Sequence, residues 1–348
     1  MRTTTTRAPR RIRAPRTTTI RFVIAALLLL CSSERIMGQD PVAYEELAPS
    51  LFNPDHTTYH QGTALQMAAF AELVYWEGPE QDAFFTGLHS IHPELPWEHR
   101  HLADRRSDAQ ALLVRYPDRL VIAFRGTQFN VLKDLVNDVK FWTYENSASA
   151  SDRIRGLPPG HGGFRRSVMA LILRQGLLEV VDTLIRNAGG DVRTFPIYLT
   201  GHSLGAAMGA MFCSVLEAQG YTMAGAYFFA PPLALRPAEA CRLSKRYGAV
   251  VHEIINYKDY VPRALATNRC RYRHFGLFYR FDVDGTLRQE PEMYVRMGRG
   301  ERKVVAYHRL LAHRNALKLP KNSAAAVRAR QGQLTFPNNK PVDRGCGP

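Results

Sequence analysis

Cysteine is scarce in this chain, five in 348 residues, and no spacing among them suits a metal site. Removal of a leader would leave Cys213, Cys241, Cys270 and Cys346, enough to permit a disulfide without fixing its connectivity. Long apolar runs are also missing. The stretch "FVIAALLLLC" at 22–31 is too short to cross a bilayer, and no other segment could span one. Internal repeats are absent, and no nucleic-acid motif accompanies the net charge of +15. Acidic residues are lacking before Glu34. Residues 1–38 hold eight Arg and one Glu, so +7 of the charge lies there and +8 remains over 39–348. That remainder suits anionic lipid surfaces or acidic polymers equally, with plain surface solubility the simpler use. Apolar content of 45% and charged content of 22% are ordinary for a globular protein.

What is present begins with a basic region, Arg2 to Arg21, followed by the apolar run, which together read as a signal peptide over 1–38. A cut near Gly38-Gln39 is favoured. A misassigned start or a transit peptide stays open. Cys31 stands where a lipoprotein cysteine would, but Leu30 precedes it in place of a small residue. Residues 39–62 read as a Pro-rich lead-in, 63–318 as one domain and 319–348 as a polar tail. Within the domain, 63–76 has helical spacing and 78–108 shows no clear period and reads as loop. Strand-like runs cover 110–116 and 119–127, joined by the turn pair Pro117-Asp118. A long helical pattern covers 164–187. A strand at 197–200, a helix after it, a strand at 225–232, a helix near 237–247 and a strand at 249–257 then alternate. Asp284-Gly285 marks a hairpin, and 303–318 looks helical. Such alternation predicts an α/β fold with a mostly parallel central sheet and helices on both faces.

The chemistry centres on "IYLTGHSLGAAMGAMF", 197–212. A strand-like run meets Gly201-His202-Ser203-Leu204-Gly205, and small residues follow that would let a helix pack closely. A G-x-S-x-G pentapeptide is weak by itself. Between a strand and a helix it predicts a strained turn that presents Ser203 as a nucleophile. A serine hydroxyl needs a histidine to take its proton, and the histidine needs a carboxylate to fix its tautomer. Asp259, directly after a strand-like run, is the candidate acid; capping of the turn to Pro262 is the equal alternative. His308 and His313 are the candidate bases, and spacing does not separate them. His274, just before a hairpin, reads as structural. An oxyanion needs donors: the Leu204 N–H supplies one, and Thr127, ending "FRGT", offers an N–H and a hydroxyl.

Together these residues resemble the class 3 (fungal-type) lipases of the α/β-hydrolase fold. "FRGT", "DLVND" (134–138, with Leu135 where a Trp is usual), "HGGF" (161–164), "GHSLGAA", "FFAPP", "NYKDYVP", "YRHFG" and "YHRLLAHRNAL" are similar to the family's segments, in the family's order. The resemblance implies Ser203 as nucleophile, Asp259 as acid, His308 as base with His313 where an aromatic often stands, and Thr127 and Leu204 at the oxyanion. It also implies that 128–142 forms a lid with Phe129, Leu132, Leu135 and Val136 on one face, unless that stripe packs on the core. The expected activity is hydrolysis of acylglycerols or related lipid esters through an acyl-enzyme. A phospholipase A, a short-chain or aromatic esterase, an acyltransferase and an inactive hydrolase-fold binding protein are the alternatives. This chemistry requires no metal or organic cofactor. The expected partner is a lipid ester, met at a lipid–water interface if the lid works, and the expected location is outside the cell or in its envelope. No reading of oligomeric state follows.

Overall fold

The computed structural model describes residues 41–76, 78–93, 97–126, 154–256, 259, 261–263, 272–281, 287–290, 314 and 317–318. The leader, Thr127, the stretch 128–142, Cys31, Cys270, Cys346, Asp284-Gly285, His308, His313 and the tail lie outside these residues.

Helix α1 (Gln61–Leu73) and helix α2 (Gly78–Ile91) lead into strands β1 (Glu98–Asp104), β2 (Ala109–Arg115) and β3 (Leu120–Phe124). Helices α3 (Gly162–Gln175) and α4 (Leu177–Asn187) come next, then β4 (Ile197–His202), α5 (Leu204–Gln219), β5 (Met223–Phe229), α6 (Pro237–Tyr247) and β6 (Val251–Asn256). Strands β7 (Leu277–Phe281) and β8 (Leu287–Glu290) close the order. The strands form one eight-stranded sheet in sequence order. β3 to β7 run parallel, and antiparallel pairs extend both ends. Crossover connections explain the pattern: each parallel step needs a helix or long link, while Pro117-Asp118 turns β2 straight back into β3, with Tyr116 N–H donating to the Arg119 carbonyl at 2.8 Å.

Strand side chains alternate between two apolar layers. Leu113, Ile122, Leu199 and Phe228 pack with α3, α4, α5 and α6 on one face. Leu112, Val121, Tyr198 and Tyr227 pack with α1 and α2 on the other. Both faces are covered, so the central strands are wholly buried and read as apolar runs rather than as alternation. This is the mostly parallel α/β sheet that the alternation predicts.

Two readings need correction. The stretch 78–108, read as loop, contains α2 and β1. α2 buries Gln81, Phe84, Phe85 and Leu88, a true i, i+3, i+4, i+7 stripe diluted by glycine and polar neighbours. β1 is an edge strand whose residues are mostly half-buried, so its sequence "EHRHLAD" carries no apolar run. The helical pattern at 164–187 is two helices, because Gly176 takes φ +64° and breaks the chain direction between them.

Residues 42–60 pack into the core rather than trailing from it. Val42, Leu47 and Tyr59 are buried in the α1–α2 layer, and Gly87 of α2 has no room for a Cβ beside the Tyr44 ring. Here His56 lies 3% exposed against Tyr198, ring centroids 4.4 Å apart, with neither ring nitrogen hydrogen-bonded. Burial, then the charge of His252, pushes its imidazole down to about 3. Burial likewise holds His252 at about 4. Both rings stay neutral in the fold yet titrate near 6.5 when unfolded, so each contributes stability above pH 6.5 that is lost as pH falls toward 4. Glu72, raised by burial to about 7, runs the other way over the same window. The difference between variants isolates the ring: His56→Phe should leave Tm at pH 7 unchanged or higher. It should also shrink the fall in Tm between pH 7 and pH 4.5. A fall as steep as the parent's would show that His56 does not titrate in the unfolded chain alone.

Candidate active site

Strand β4 delivers Ser203 to the turn before α5. Its φ is +56° and ψ is −125°, the geometry of the first central residue of a type II′ turn, which glycine usually occupies. A serine held there is strained, and such strain costs of order 1–3 kcal/mol. The surroundings enforce it. A Cβ on Gly205 would lie 2.0 Å from the Phe124 carbonyl oxygen, and one on Gly201 would lie 2.6 Å from the Gly205 carbonyl carbon. Both flanking glycines are therefore steric requirements. Gly209, one turn on, lets α5 close on β5: a Cβ there would meet the Phe228 ring at 2.5 Å. The Ser203 N–H donates to the Phe229 carbonyl at 2.9 Å, and its carbonyl accepts from Ala207 at 3.2 Å. These bonds anchor the turn to β5 and to the first turn of α5.

Three candidate positions lie at the carboxyl ends of parallel strands, the edge where open α/β sheets bind ligands. Ser203 follows β4, Gly126 follows β3, and Asp259 follows β6. Gly126 abuts the elbow, since a Cβ on it would lie 2.4 Å from the His202 carbonyl oxygen and 2.4 Å from the Tyr75 hydroxyl. The Tyr75 hydroxyl hydrogen-bonds the Gly126 backbone. Leu204 begins α5, so its N–H is one of the donors a helix leaves unpaired in its first turn, the most positive end of the helix dipole. Asp259 is fully buried. Its Oδ1 accepts from the Val261 N–H at 3.0 Å, and its own N–H donates to the Asn256 carbonyl at 3.1 Å. Thr127 and His308 lie outside the described residues; Gly126, the neighbour of Thr127, stands beside the elbow.

Further contacts tie the end of the described chain to its start without a signal in the sequence. Arg314, six positions after His308, is fully buried. Its Nε and one terminal nitrogen donate to Glu46 at 3.1 and 2.8 Å, and Lys318 Nζ adds a contact of 3.1 Å. Burial alone would raise the Glu46 carboxyl, but the Arg314 bonds and charge hold it below its ordinary value. Gln61 of α1 donates to the Leu317 carbonyl at 2.9 Å. The last described part of the chain is thus bolted to 41–60 and to α1. A sequence separation of 268 hides such a pair from any local pattern. Among the described residues no group of His, Cys, Asp and Glu could hold a metal.

A parallel sheet with a strained serine elbow at its carboxyl edge defines an α/β hydrolase. The family model described as lipase (class 3) matches residues 121–269, from β3 to beyond Asp259, and bears out over that segment the resemblance carried by the motifs. A secreted mono- and diacylglycerol lipase of Malassezia globosa is 27% identical over 148 residues, 41% of this chain. The match spans 45% of that relative's length, so under half of it. Among solved structures, the Lip2 lipase of Yarrowia lipolytica has a TM-score of 0.50 at 19% identity, covering 65% of this chain and 83% of its own. The triacylglyceride lipase of Rhizomucor miehei has a TM-score of 0.48 at 18% identity, covering 72% and 91%.

Proposed function

We propose that this protein is a serine carboxylic-ester hydrolase that cleaves acylglycerols or related lipid esters through an acyl-enzyme. The observation that carries the reading is Ser203 at φ +56° between two glycines with no room for a Cβ. Nothing in packing alone calls for a serine there, because glycine would sit without strain. In the reaction, His308 takes the hydroxyl proton as Ser203 Oγ attacks the ester carbonyl. The Leu204 N–H and Thr127 hold the oxyanion, a donor pair of the kind whose loss costs about 3 kcal/mol per donor. Asp259 fixes the tautomer of His308 and favours the imidazolium. His308 then protonates the leaving alcohol, and water repeats the cycle on the acyl-enzyme.

The family match over 121–269 supports lipid esters as the substrate class, as does the net basic charge outside the leader. A location outside the cytosol is supported by the sequence of 1–38 and by Cys241, which is disulfide-bonded; structural disulfides persist in oxidising compartments. The test is hydrolysis of an ester series from tributyrin to triolein, below and above the solubility limit. A rate that rises once an interface forms, with long chains accepted, is expected. Saturation on soluble short esters alone would make the protein an esterase, and silence on acylglycerols with turnover of diacyl phospholipid would make it a phospholipase.

A further inference from the structure

We propose that His274 is a positioning residue for Asp259, acting through the turn that follows the acid. The proposal rests on Asp259 being the carboxylate of the triad. Its observations lie in β6, the turn after it and the segment that leads into β7, with one bond to Leu235.

Glu253 sits in the middle of β6, six residues before Asp259, and is 1% exposed. Its strand neighbours in register are Phe228 and Phe278, an apolar setting in which an unpaired carboxylate would be very costly. His274 Nδ1 lies 2.9 Å from Glu253 Oε2, an ion-pair approach too bent to make a straight hydrogen bond, which leaves Oε2 without one. The other nitrogen, Nε2, lies 3.1 Å from the Pro262 carbonyl oxygen. A carbonyl only accepts, so Nε2 carries a proton. The ring thus links the Glu253 carboxyl of β6 to the Pro262 carbonyl of the turn.

The consequence falls on Asp259. Pro262 belongs to the short helical turn Val261–Arg263, and the Val261 N–H is the donor to Asp259 Oδ1. Pinning the Pro262 carbonyl anchors the short turn Val261–Arg263 at its middle, and so restrains the direction from which the Val261 N–H meets the carboxylate. The ring itself has no freedom to follow a shifting turn. Tyr272 and Phe275 on either side are 2% and 1% exposed, and the Arg273 N–H donates to the Leu235 carbonyl at 2.8 Å. Gly276 takes φ +97° with no room for a Cβ beside the Val251 carbonyl. β6 leads into the acid and also carries, through Glu253 and His274, the clamp on the loop that aims it.

The experiment separates aiming from mere stability. His274→Phe leaves Glu253 buried without the ring nitrogen beside it and should lower both Tm and activity. His274→Phe with Glu253→Gln removes the stranded charge. The double variant should regain most of the Tm while kcat per active site, counted by titration with a fluorophosphonate, stays about 10- to 100-fold down and KM changes less than twofold. The acidic limb of its kcat/KM profile should move to lower pH, because an imidazole less supported by a carboxylate is easier to deprotonate. His274→Gln, which keeps one donor toward Pro262, should retain more kcat per titrated site than His274→Phe. A double variant with the parent's kcat and pH profile would overturn the proposal, as would equal losses in Gln and Phe variants. Asp259→Asn decides the premise by itself: near-parental activity there removes the triad reading and the role of His274 together. In an inactive Asp259→Asn background, His274→Phe should add less than a twofold further loss.

Discussion

Ser203→Ala is expected to lower kcat/KM by about 10^5- to 10^6-fold, the loss typical when a catalytic serine is removed, with the fold unchanged. The fold survives because the elbow is imposed by its surroundings. Gly201 and Gly205 are crowded by backbone, and the Ser203 N–H keeps its bond to Phe229 whatever the side chain. Alanine would occupy the same φ of +56° at the same cost. Ser203→Gly makes the sharper comparison. It relieves backbone strain of about 1–3 kcal/mol and gives back up to about 1 kcal/mol through the looser unfolded chain. The glycine variant should therefore be equally inactive and modestly more stable than the parent, read as a higher Tm in thermal unfolding. Strain spent on holding a reactive hydroxyl has this signature, a gain in stability from deleting the function. A glycine variant less stable than the alanine variant would mean that the turn is not strained.

Asp259→Asn is expected to lower kcat by about 10^3- to 10^4-fold with KM nearly constant. Asparagine keeps the shape and an acceptor oxygen, so the Val261 N–H bond of 3.0 Å can persist and the turn can hold. The charge is lost. A neutral amide can present its NH2 group to the histidine and select the wrong tautomer, and it no longer stabilises the imidazolium. The group is fully buried, so solvent ions cannot replace the missing charge, and added formate should rescue little. Kinetics on a soluble ester at saturating substrate check the size of the loss. A fall below tenfold would reduce Asp259 to the turn cap that is its alternative reading.

The sequence carried the elbow well and its supports poorly. Strand, glycine, serine, glycine and small-residue helix are all local, and each has its own steric cause in the structure. The parallel strands were legible for a related reason: layers on both faces leave them continuously apolar. β1 and α2 were not, because an edge strand and a half-exposed helix need few apolar residues. The split at Gly176 was hidden by apolar spacing that continues in phase on both sides. Asp259 lies after a strand, as its sequence position indicates, but its bond from the Val261 N–H depends on the turn. Glu46 and Arg314, and Glu253 and His274, are brought together only by the finished fold. A buried ion pair between distant segments has no pattern until the segments meet.

Covalent labelling tests the central claim most directly. The intact protein, incubated with a fluorophosphonate carrying a long alkyl chain, should gain the mass of one phosphonyl group. Peptide mapping should place that group on Ser203, with concurrent loss of esterase activity. Ser203→Ala should take up none, and Asp259→Asn should react far more slowly than the parent. A protein that stays unlabelled while hydrolysing esters, or that carries the label on another residue, would contradict Ser203 as the nucleophile.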